Sequence, residues 1–164
     1  MTSSRGVEWT IWTDGACLGN PGPGGWAALV RGEREVLLKG GEAWTTNNRM
    51  ELKAALMGLL ATPEGARVEV RTDSRYLKNA FTEGWLARWQ EHGWRTKTGP
   101  VKNQDLWEEL LKAVQARQVR WAFVKGHAGI RENELVDRLA VQEAKSQRDP
   151  PGSEGRSGFR ARRG

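Results

Sequence analysis

The chain has 164 residues, of which 28% are charged and 38% hydrophobic, with a formal net charge of +6. This length fits one globular domain with a sizeable core, and the longest apolar runs fall far short of the roughly 20 residues that a membrane-spanning helix needs. A single cysteine, Cys17, excludes an internal disulfide and suits a reducing compartment.

No apolar stretch follows the first five residues, as it would in a secretory signal. We therefore expect a cytoplasmic protein without membrane contacts, and a monomer by default. The positive charge favours a polyanionic partner, but the last 19 residues hold five arginines against two acidic residues, about half of the excess. Charge alone does not identify the partner.

The first part of the chain predicts three strands. Residues 7–14 alternate and are rich in aromatic and β-branched types, which is typical of a strand. The Gly- and Pro-rich residues 15–25 predict a long hairpin connection to a second strand at 26–31. A tight turn then leads to a third strand at about 35–43. Consecutive strands with such short connections pair antiparallel.

The rest of the domain alternates helices with strands. Asn47 or Asn48 is the expected N-cap of a first helix that ends near Ala61, and Glu51 stands at capping-box spacing from Asn48. The remaining predictions are a strand at 67–73, helices at 74–81, 85–91 and 103–116, a strand at 119–123 and a helix at 131–145. This order predicts an α/β fold with a five-stranded mixed sheet, three antiparallel strands followed by parallel additions, and helices on both faces.

Residues 1–6 are interpreted as an N-terminal extension, 7–145 as the domain, and 146–164 as a disordered basic tail. The tail is rich in Ser, Gly, Pro and Arg and has one aromatic residue, Phe159. Such a segment cannot bury enough apolar area to offset its loss of conformational entropy.

Two acidic residues, Asp14 and Asp73, end predicted strands that lie side by side in this arrangement. Each carboxylate has an ordinary structural alternative as a turn or cap residue. Together they would repel each other and raise their pKa values unless a cation compensates. Mg²⁺ prefers such oxygen ligands, whereas one cysteine and two histidines offer no tetrahedral zinc set.

A series of segments resembles bacterial type 1 ribonuclease H over about residues 7–144. It consists of TDGACLGNPGPGGW at 13–26, TTNNRMEL at 45–52, TDS at 72–74, VKGHAG at 124–129 and ENELVD at 132–137. The resemblance implies a ribonuclease H-like fold and an endonuclease that hydrolyses the RNA strand of RNA–DNA hybrids, leaving 5′-phosphate and 3′-hydroxyl ends. It further implies two Mg²⁺ ions per site, with Mn²⁺ as an alternative ion.

The same resemblance assigns roles to individual residues. It implies that the metal is bound by four carboxylates, Asp14, Glu51, Asp73 and Asp137, and that His127 assists proton transfer or product release. An imidazole that titrates near neutrality suits that task. It also implies that the hybrid is bound by Cys17, Asn20, Asn47 and Asn48 in the minor groove, by Thr46 and Asn103 at a DNA-strand phosphate, and by Trp85.

Two positions depart from the family pattern. Relatives often carry an arginine two residues before the phosphate-binding threonine, where this chain has Trp44. Either the phosphate pocket is weaker here or another cation substitutes. Arg75 stands where some relatives have a glutamine, and we do not include it among the residues expected to read ribose.

Residues 85–102 resemble the family's basic handle, which grips the DNA strand. Trp85, Trp89 and Trp94 interleave with basic residues, a pattern expected of stacking beside phosphate contacts. The alternative is that these tryptophans form the handle's small core, and we expect that at least one does. The tip, Gln90-Glu91-His92, is less basic than in many relatives.

Three other functions compete with this interpretation. A proofreading-type exonuclease of the same fold typically carries Asp-x-Glu on its first strand, but here Gly15 and Ala16 follow Asp14. A transposase or resolvase core would lack the ribose-reading loop and the handle. A catalytically inactive hybrid-binding module would lack one of the four carboxylates. The fold alone does not separate these alternatives; the site residues do.

Overall fold

The protein is described here by a computed structural model that covers residues 6–124 and 130–148. Within these ranges the chain forms seven strands: β1 (Trp9–Cys17), β2 (Gly22–Arg31), β3 (Glu35–Thr45), β4 (Arg67–Thr72), β5 (Arg95–Thr96), β6 (Gly99–Pro100) and β7 (Gln118–Phe123). It also forms five helices: α1 (Asn47–Leu60), α2 (Arg75–Thr82), α3 (Trp85–Glu91), α4 (Gln104–Gln115) and α5 (Arg131–Arg148).

Five of the strands form one mixed sheet in the spatial order β3-β2-β1-β4-β7. The pairs β3–β2 and β2–β1 are antiparallel, whereas β1–β4 and β4–β7 are parallel. The predicted fold class is therefore confirmed. The short strands β5 and β6 form a separate two-stranded ribbon, which the sequence analysis does not predict.

Alternate residues of the strands face two cores, as the two-residue period of a strand requires. Ile11 and Val30 pack in the larger cluster with α1, α2 and α4. Trp12 and Leu29 pack on the opposite face against Val136 of α5. The helices thus cover both faces of the sheet. Within the described ranges, no helix combines the length and apolarity needed to span a bilayer.

The first hairpin is tighter than predicted, because β1 continues to Cys17 and β2 begins at Gly22. The prediction that residues 15–25 form a long connection is wrong for most of that segment. Its glycines pair within the sheet: Gly24 lies opposite Cys17 and Gly25 opposite Ala16. Glycine is depleted in strands on average, but here it permits close packing, as described below for α5.

Two helix boundaries also differ from the predictions. The N-cap of α1 is Thr46, whose side chain accepts a hydrogen bond from the Arg49 N–H at 3.2 Å. Asn47 and Asn48 lie inside the helix, so the predicted asparagine cap and its capping box with Glu51 are wrong. Helix α5 extends to Arg148, three residues past its predicted end. The remaining residues of the predicted tail lie outside the described ranges.

Candidate active site

Asp14 and Asp73 meet at the same edge of the sheet because β1 and β4 are parallel and in register. Trp12 of β1 pairs with Arg71 of β4, and each acidic residue lies two positions further along its chain. A two-residue step returns a side chain to the same face of a strand. The adjacency predicted from the strand order is therefore present in the structure.

Gly15 allows Glu51 to approach these two aspartates. A β-carbon at Gly15 would lie 2.5 Å from the Glu51 backbone nitrogen and 2.6 Å from the Met50 carbonyl carbon. No side chain fits there, so the first turn of α1 rests directly on β1. The Gly15 N–H also donates to Asp14 Oδ1 at 2.9 Å, which orients that carboxylate.

The carboxylates of Asp14, Glu51 and Asp73 each offer one oxygen, and these oxygens lie within 4.8 Å of one another. Asp137 of α5 shares a side-chain hydrogen bond with Asp14 and lines the same cleft of about 410 Å³. The structure thus gathers the four acidic residues from four separate elements or element ends. We refer to them as the acidic cluster.

Burial and mutual repulsion raise the pKa values of two members of the acidic cluster, Asp14 and Glu51. The pKa of Asp14 rises to about 8, first because the carboxyl is buried and next because of the charge of Asp73 and the hydrogen bond with Asp137. Burial raises the pKa of Glu51 well above its ordinary range, with the charges of Asp14 and Asp73 adding to it. A proton or a cation is needed to stabilise such a group.

The donor set fits a hard cation. All its ligand atoms are carboxylate oxygens, the type that Mg²⁺ and similar ions prefer. Glu51 is 5% exposed, and its Oε1 finds no hydrogen-bond partner among the described residues. A buried polar atom usually has a partner, and a bound ion would satisfy this one.

Several residues predicted to bind the hybrid border the acidic cluster. Asn47 and Asn48 line the same cleft, and Asn20 Oδ1 accepts a hydrogen bond from the Asn47 N–H at 3.0 Å. The Cys17 sulfur lies 3.0 Å from the Gly19 oxygen and 3.4 Å from the Thr45 oxygen. Burial raises the pKa of its thiol, which argues for a role in positioning the loop rather than for thiol reactivity.

Thr46 and Asn103 belong to a second polar cluster, which is centred on Arg49. The Arg49 guanidinium donates to Asn103 Oδ1 at 3.2 Å and forms a two-point ion pair with Asp105 at 3.0 and 2.9 Å. Asn103 in turn donates to the Tyr76 hydroxyl at 3.1 Å. We refer to Thr46, Arg49, Asn103 and Asp105 as the arginine cluster.

The tryptophans of the handle form a packed aromatic chain. The ring centroids of Trp85 and Trp89 lie 5.8 Å apart, those of Trp89 and Trp94 6.2 Å, and those of Trp89 and the fully buried Trp107 5.6 Å. All three handle tryptophans serve as partly buried packing residues, but they pack against the larger core and not only within a small core of the handle, as was predicted for at least one of them. The predicted contact of Trp85 with the hybrid stays a prediction.

Five residues near these clusters are not among the site residues predicted from the sequence. Ser74, Arg75 and Tyr76 line the acidic cleft, although Arg75 was set aside as a departure from the family pattern. The partnership of Arg49 with Asp105 joins positions 56 residues apart, and no periodicity signals it. His127, the residue predicted to assist proton transfer, lies outside the described residues.

Asp73 follows the end of β4, whereas Asp14 lies inside β1, which continues to Cys17 and not to Asp14 as predicted. Carboxylates gathered on a parallel strand pair of a mixed sheet define a class of α/β proteins with an acidic site suited to divalent cations. The RNase H family model matches residues 7–145. A ribonuclease H of Thermus thermophilus is 63% identical over 153 residues, covering 92% of each chain. A ribonuclease H of Nitrobacter hamburgensis is 55% identical over 142 residues, covering 85% of this chain and 93% of that one.

Solved structures agree with this result. LC9-RNase H1, a type 1 RNase H with the type 2 active-site motif, superposes with a TM-score of 0.75 at 35% identity, covering 85% of this chain and 72% of that one. LC11-RNase H1, solved in complex with an RNA/DNA hybrid, shares the fold at 19% identity with a TM-score of 0.61, covering 84% and 97% of the two chains. The chain belongs to the ribonuclease H family, and the predicted resemblance is confirmed.

Proposed function

We propose that this protein is an endonuclease that hydrolyses the RNA strand of RNA–DNA hybrids with the help of divalent cations. The observation that carries the proposal is the acidic cluster: three carboxylate oxygens within 4.8 Å and a fourth carboxylate hydrogen-bonded to the first. In the reaction, a water oxygen forms a bond to phosphorus and the bond to the 3′-oxygen breaks. The products are a 5′-phosphate and a 3′-hydroxyl.

We infer that Asp14, Glu51, Asp73 and Asp137 together hold two Mg²⁺ ions, or Mn²⁺ in their place. When bound, such a pair supplies water activation and charge stabilisation for an in-line phosphodiester displacement. The protein's contribution is a fixed set of oxygens. Glu51 is held at the base of the cleft by the contact of α1 with Gly15, and the Gly15 N–H orients Asp14.

Selection of the RNA strand is assigned to the polar groups beside the acidic cluster. The 2′-hydroxyl is the group that separates RNA from DNA, and the amides of Asn47 and Asn48 border the cleft where a ribose would lie. Asn20 and Cys17 hold the adjoining hairpin against the start of α1. We assign the binding of a DNA-strand phosphate to Thr46 and Asn103. Trp85 is assigned a contact between the handle and the hybrid, and His127 is assigned proton transfer or product release.

The decisive experiment compares substrates and two matched Glu→Gln variants. End-labelled RNA–DNA hybrid, double-stranded RNA and double-stranded DNA are incubated with the protein and Mg²⁺. We expect cleavage of the hybrid's RNA strand at internal positions and of no other strand. Glu51→Gln should abolish it. Glu108→Gln, which alters an exposed carboxylate on α4 that bonds Gln104, should leave the rate unchanged.

Cleavage of double-stranded DNA, or an active Glu51→Gln protein, would overturn the proposal. Release of mononucleotides from one end would favour the exonuclease alternative, and tight binding without cleavage would favour the inactive module. The monomeric state and the cytoplasmic location stay predictions.

A further inference from the structure

One large aromatic side chain, Trp44 near the end of β3, is left in solvent. It is 72% exposed, whereas the other eight tryptophans of the chain are all buried or half-buried. An indole offers more apolar contact area than almost any other side chain, and tryptophan is enriched where a protein binds a partner. An indole exposed to this extent beside a candidate binding site is therefore informative.

Trp44 lies on the same side of the chain as Thr46. The backbone is extended through Thr46 (φ −128°, ψ 161°), and side chains two positions apart in an extended segment point the same way. Thr45, between them, is buried and pairs with Gly22. Trp44 is thus two residues before Thr46 of the arginine cluster and three before the start of α1, whose first turn carries Asn47 and Asn48.

The charges around this surface do not favour a strong phosphate contact. Arg49 is engaged by both oxygens of Asp105, and the charge of Glu42 also acts on it. In this group of charges, one guanidinium stands against two carboxylates. A polyanion gains little net Coulomb attraction from such a set, so another interaction has to contribute to holding the strand here.

We propose that Trp44 positions the substrate by packing its indole against a deoxyribose of the DNA strand, next to the phosphate bound by Thr46 and Asn103. This inference rests on the proposed function. Deoxyribose suits the contact because its 2′ carbon carries no hydroxyl that the indole would strip of water, an unfavourable step for a polar group left without a partner. The contact is apolar, so its contribution to affinity depends little on salt, unlike that of a phosphate–arginine pair.

The first test is steady-state cleavage of RNA–DNA hybrid at several KCl concentrations. We expect Trp44→Ala to raise KM about tenfold, the scale of a lost aromatic contact with a nucleic acid, and to leave kcat within about twofold. Its salt dependence should match that of the wild type. Trp44→Phe should keep most of the affinity. Trp44→Arg should bind well at low salt, and its plot of log affinity against log salt concentration should be steeper by about one.

Leu37→Ala is the matched control. Leu37 lies on the same edge strand and is 46% exposed. It is seven residues before Trp44 along the chain and pairs with Leu29. This variant should behave as the wild type. An equal rise in KM for both alanine variants, or a shallower salt slope for Trp44→Ala, would overturn the inference.

The second test identifies the contacted sugar. Single ribonucleotides are placed at successive positions of the DNA strand, and KM is measured for the wild type and for Trp44→Ala. We expect one position in the DNA strand at which the added 2′-hydroxyl raises KM several-fold for the wild type and has no effect on KM for Trp44→Ala. Parallel profiles for the two proteins would overturn the sugar contact.

The outcomes separate the two proposals. A wild type that cleaves hybrid while Trp44→Ala shows an unchanged KM overturns the role of Trp44 alone. A wild type that neither binds nor cleaves hybrid overturns the proposed function and this inference with it. If Trp44→Ala changes the sedimentation of the free protein and not KM, Trp44 belongs to a protein contact instead.

Discussion

The acidic cluster and the arginine cluster contain the same chemical group in opposite circumstances. The pKa of Asp14 is raised to about 8 by burial and by neighbouring carboxylates. The pKa of Asp105 is lowered, mainly by its hydrogen bonds with Arg49. Glu69 on the sheet resembles Asp105, since Arg120 and then Arg71 lower its pKa. Asp105 and Glu69 thus have guanidinium partners, whereas the side chains that act on Asp14 are the carboxyls of Asp73 and Asp137.

This difference shows which cluster is complete without a ligand. Asp105 has its counter-charge in Arg49. Its side chain is 62% exposed, so this ion pair contributes only modestly to the stability of the fold. In the acidic cluster, burial and the charges of neighbouring carboxylates raise the pKa values of Asp14 and Glu51, a cost in stability that proteins accept mainly at functional sites.

Matched Asp→Asn changes in the two clusters should have different effects on catalysis. We expect Asp73→Asn to lower kcat by about 10²–10³-fold, the scale of losing one group that stabilises transition-state charge. Chelation of divalent ions should abolish activity, and added Mg²⁺ should restore it. Asp105→Asn should keep kcat within about threefold. Steady-state cleavage assays check both variants, and equal losses in kcat would contradict the comparison.

Filling the space at Gly15 should damage the acidic cluster without touching a charge. A β-carbon there would lie 2.5 Å from the Glu51 nitrogen, so Gly15→Ala must push α1 away from β1. We expect a loss of about 1–3 kcal/mol in the free energy of unfolding, as for other overpacked sites, together with weaker cation binding. Urea unfolding and calorimetric Mg²⁺ titration measure these effects.

Gly6→Ala is the control for that experiment, because no atom lies within 4 Å of a β-carbon built there. It should unfold as the wild type does. A Gly15→Ala protein with unchanged stability and unchanged Mg²⁺ affinity would show that the close contact does not position Glu51.

Removing the Asp14 charge should stabilise the metal-free protein at high pH. Because its folded pKa is about 8, against an ordinary value of 3.8, the folded state binds the extra proton between these values. The stability from this group is fully present below the ordinary value and is lost as pH rises through about 8. We expect the free energy of unfolding of Asp14→Asn to exceed that of the wild type by several kcal/mol near pH 8.5, the scale of a shift of about four pKa units, and by little near pH 4.

Thermal unfolding in chelator at the two pH values tests this prediction. Mg²⁺ should reduce the difference at high pH, since it stabilises the wild type more than the variant. A gap between the two proteins that does not change with pH would show that Asp14 is not strained by its neighbours.

The smallest effect belongs to the arginine cluster. The lowered pKa of Asp105 means that its stabilisation is present above the ordinary carboxyl value and is lost as pH falls through the folded value. We expect Asp105→Asn to cost about 0.5 kcal/mol at pH 7, as for other exposed ion pairs, and nothing at pH 2. Urea unfolding at both pH values decides it, and a loss that persists in acid would implicate packing instead of charge.

The sequence predicted the fold well where local patterns agree with the tertiary structure. The alternation in β1 and the acidic residues near the ends of β1 and β4 were sufficient to place Asp14 beside Asp73. The hairpin at Gly22 was harder, because glycine and proline signal loops locally, whereas here glycines are paired within a sheet. The sequence does not single out Thr46 as the cap, because two asparagines, equally good cap residues, follow it.

Contacts between distant segments were the part that sequence patterns could not supply. The proximity of Arg49 to Asp105, and of Arg75 to the acidic cleft, depends on how α1, α2 and α4 pack together. The roles of Asp137 and of the hybrid-binding residues came from family resemblance alone. The structure brings Asp137, Asn47 and Asn48 into one cleft, and their roles toward a substrate stay predictions.

The close contact between α5 and Gly25 of β2 affects the position of Asp137 in the acidic cluster. A β-carbon at Gly25 would lie 2.3 Å from the Ala140 oxygen and 2.5 Å from the Ala144 nitrogen, so the helix backbone rests on β2 one to two turns beyond Asp137. That contact sets the distance and angle between the sheet and α5, the helix that carries Asp137. A side chain at Gly25 would displace α5 and Asp137 with it, so the spacing of the four carboxylates depends on a residue outside the cleft.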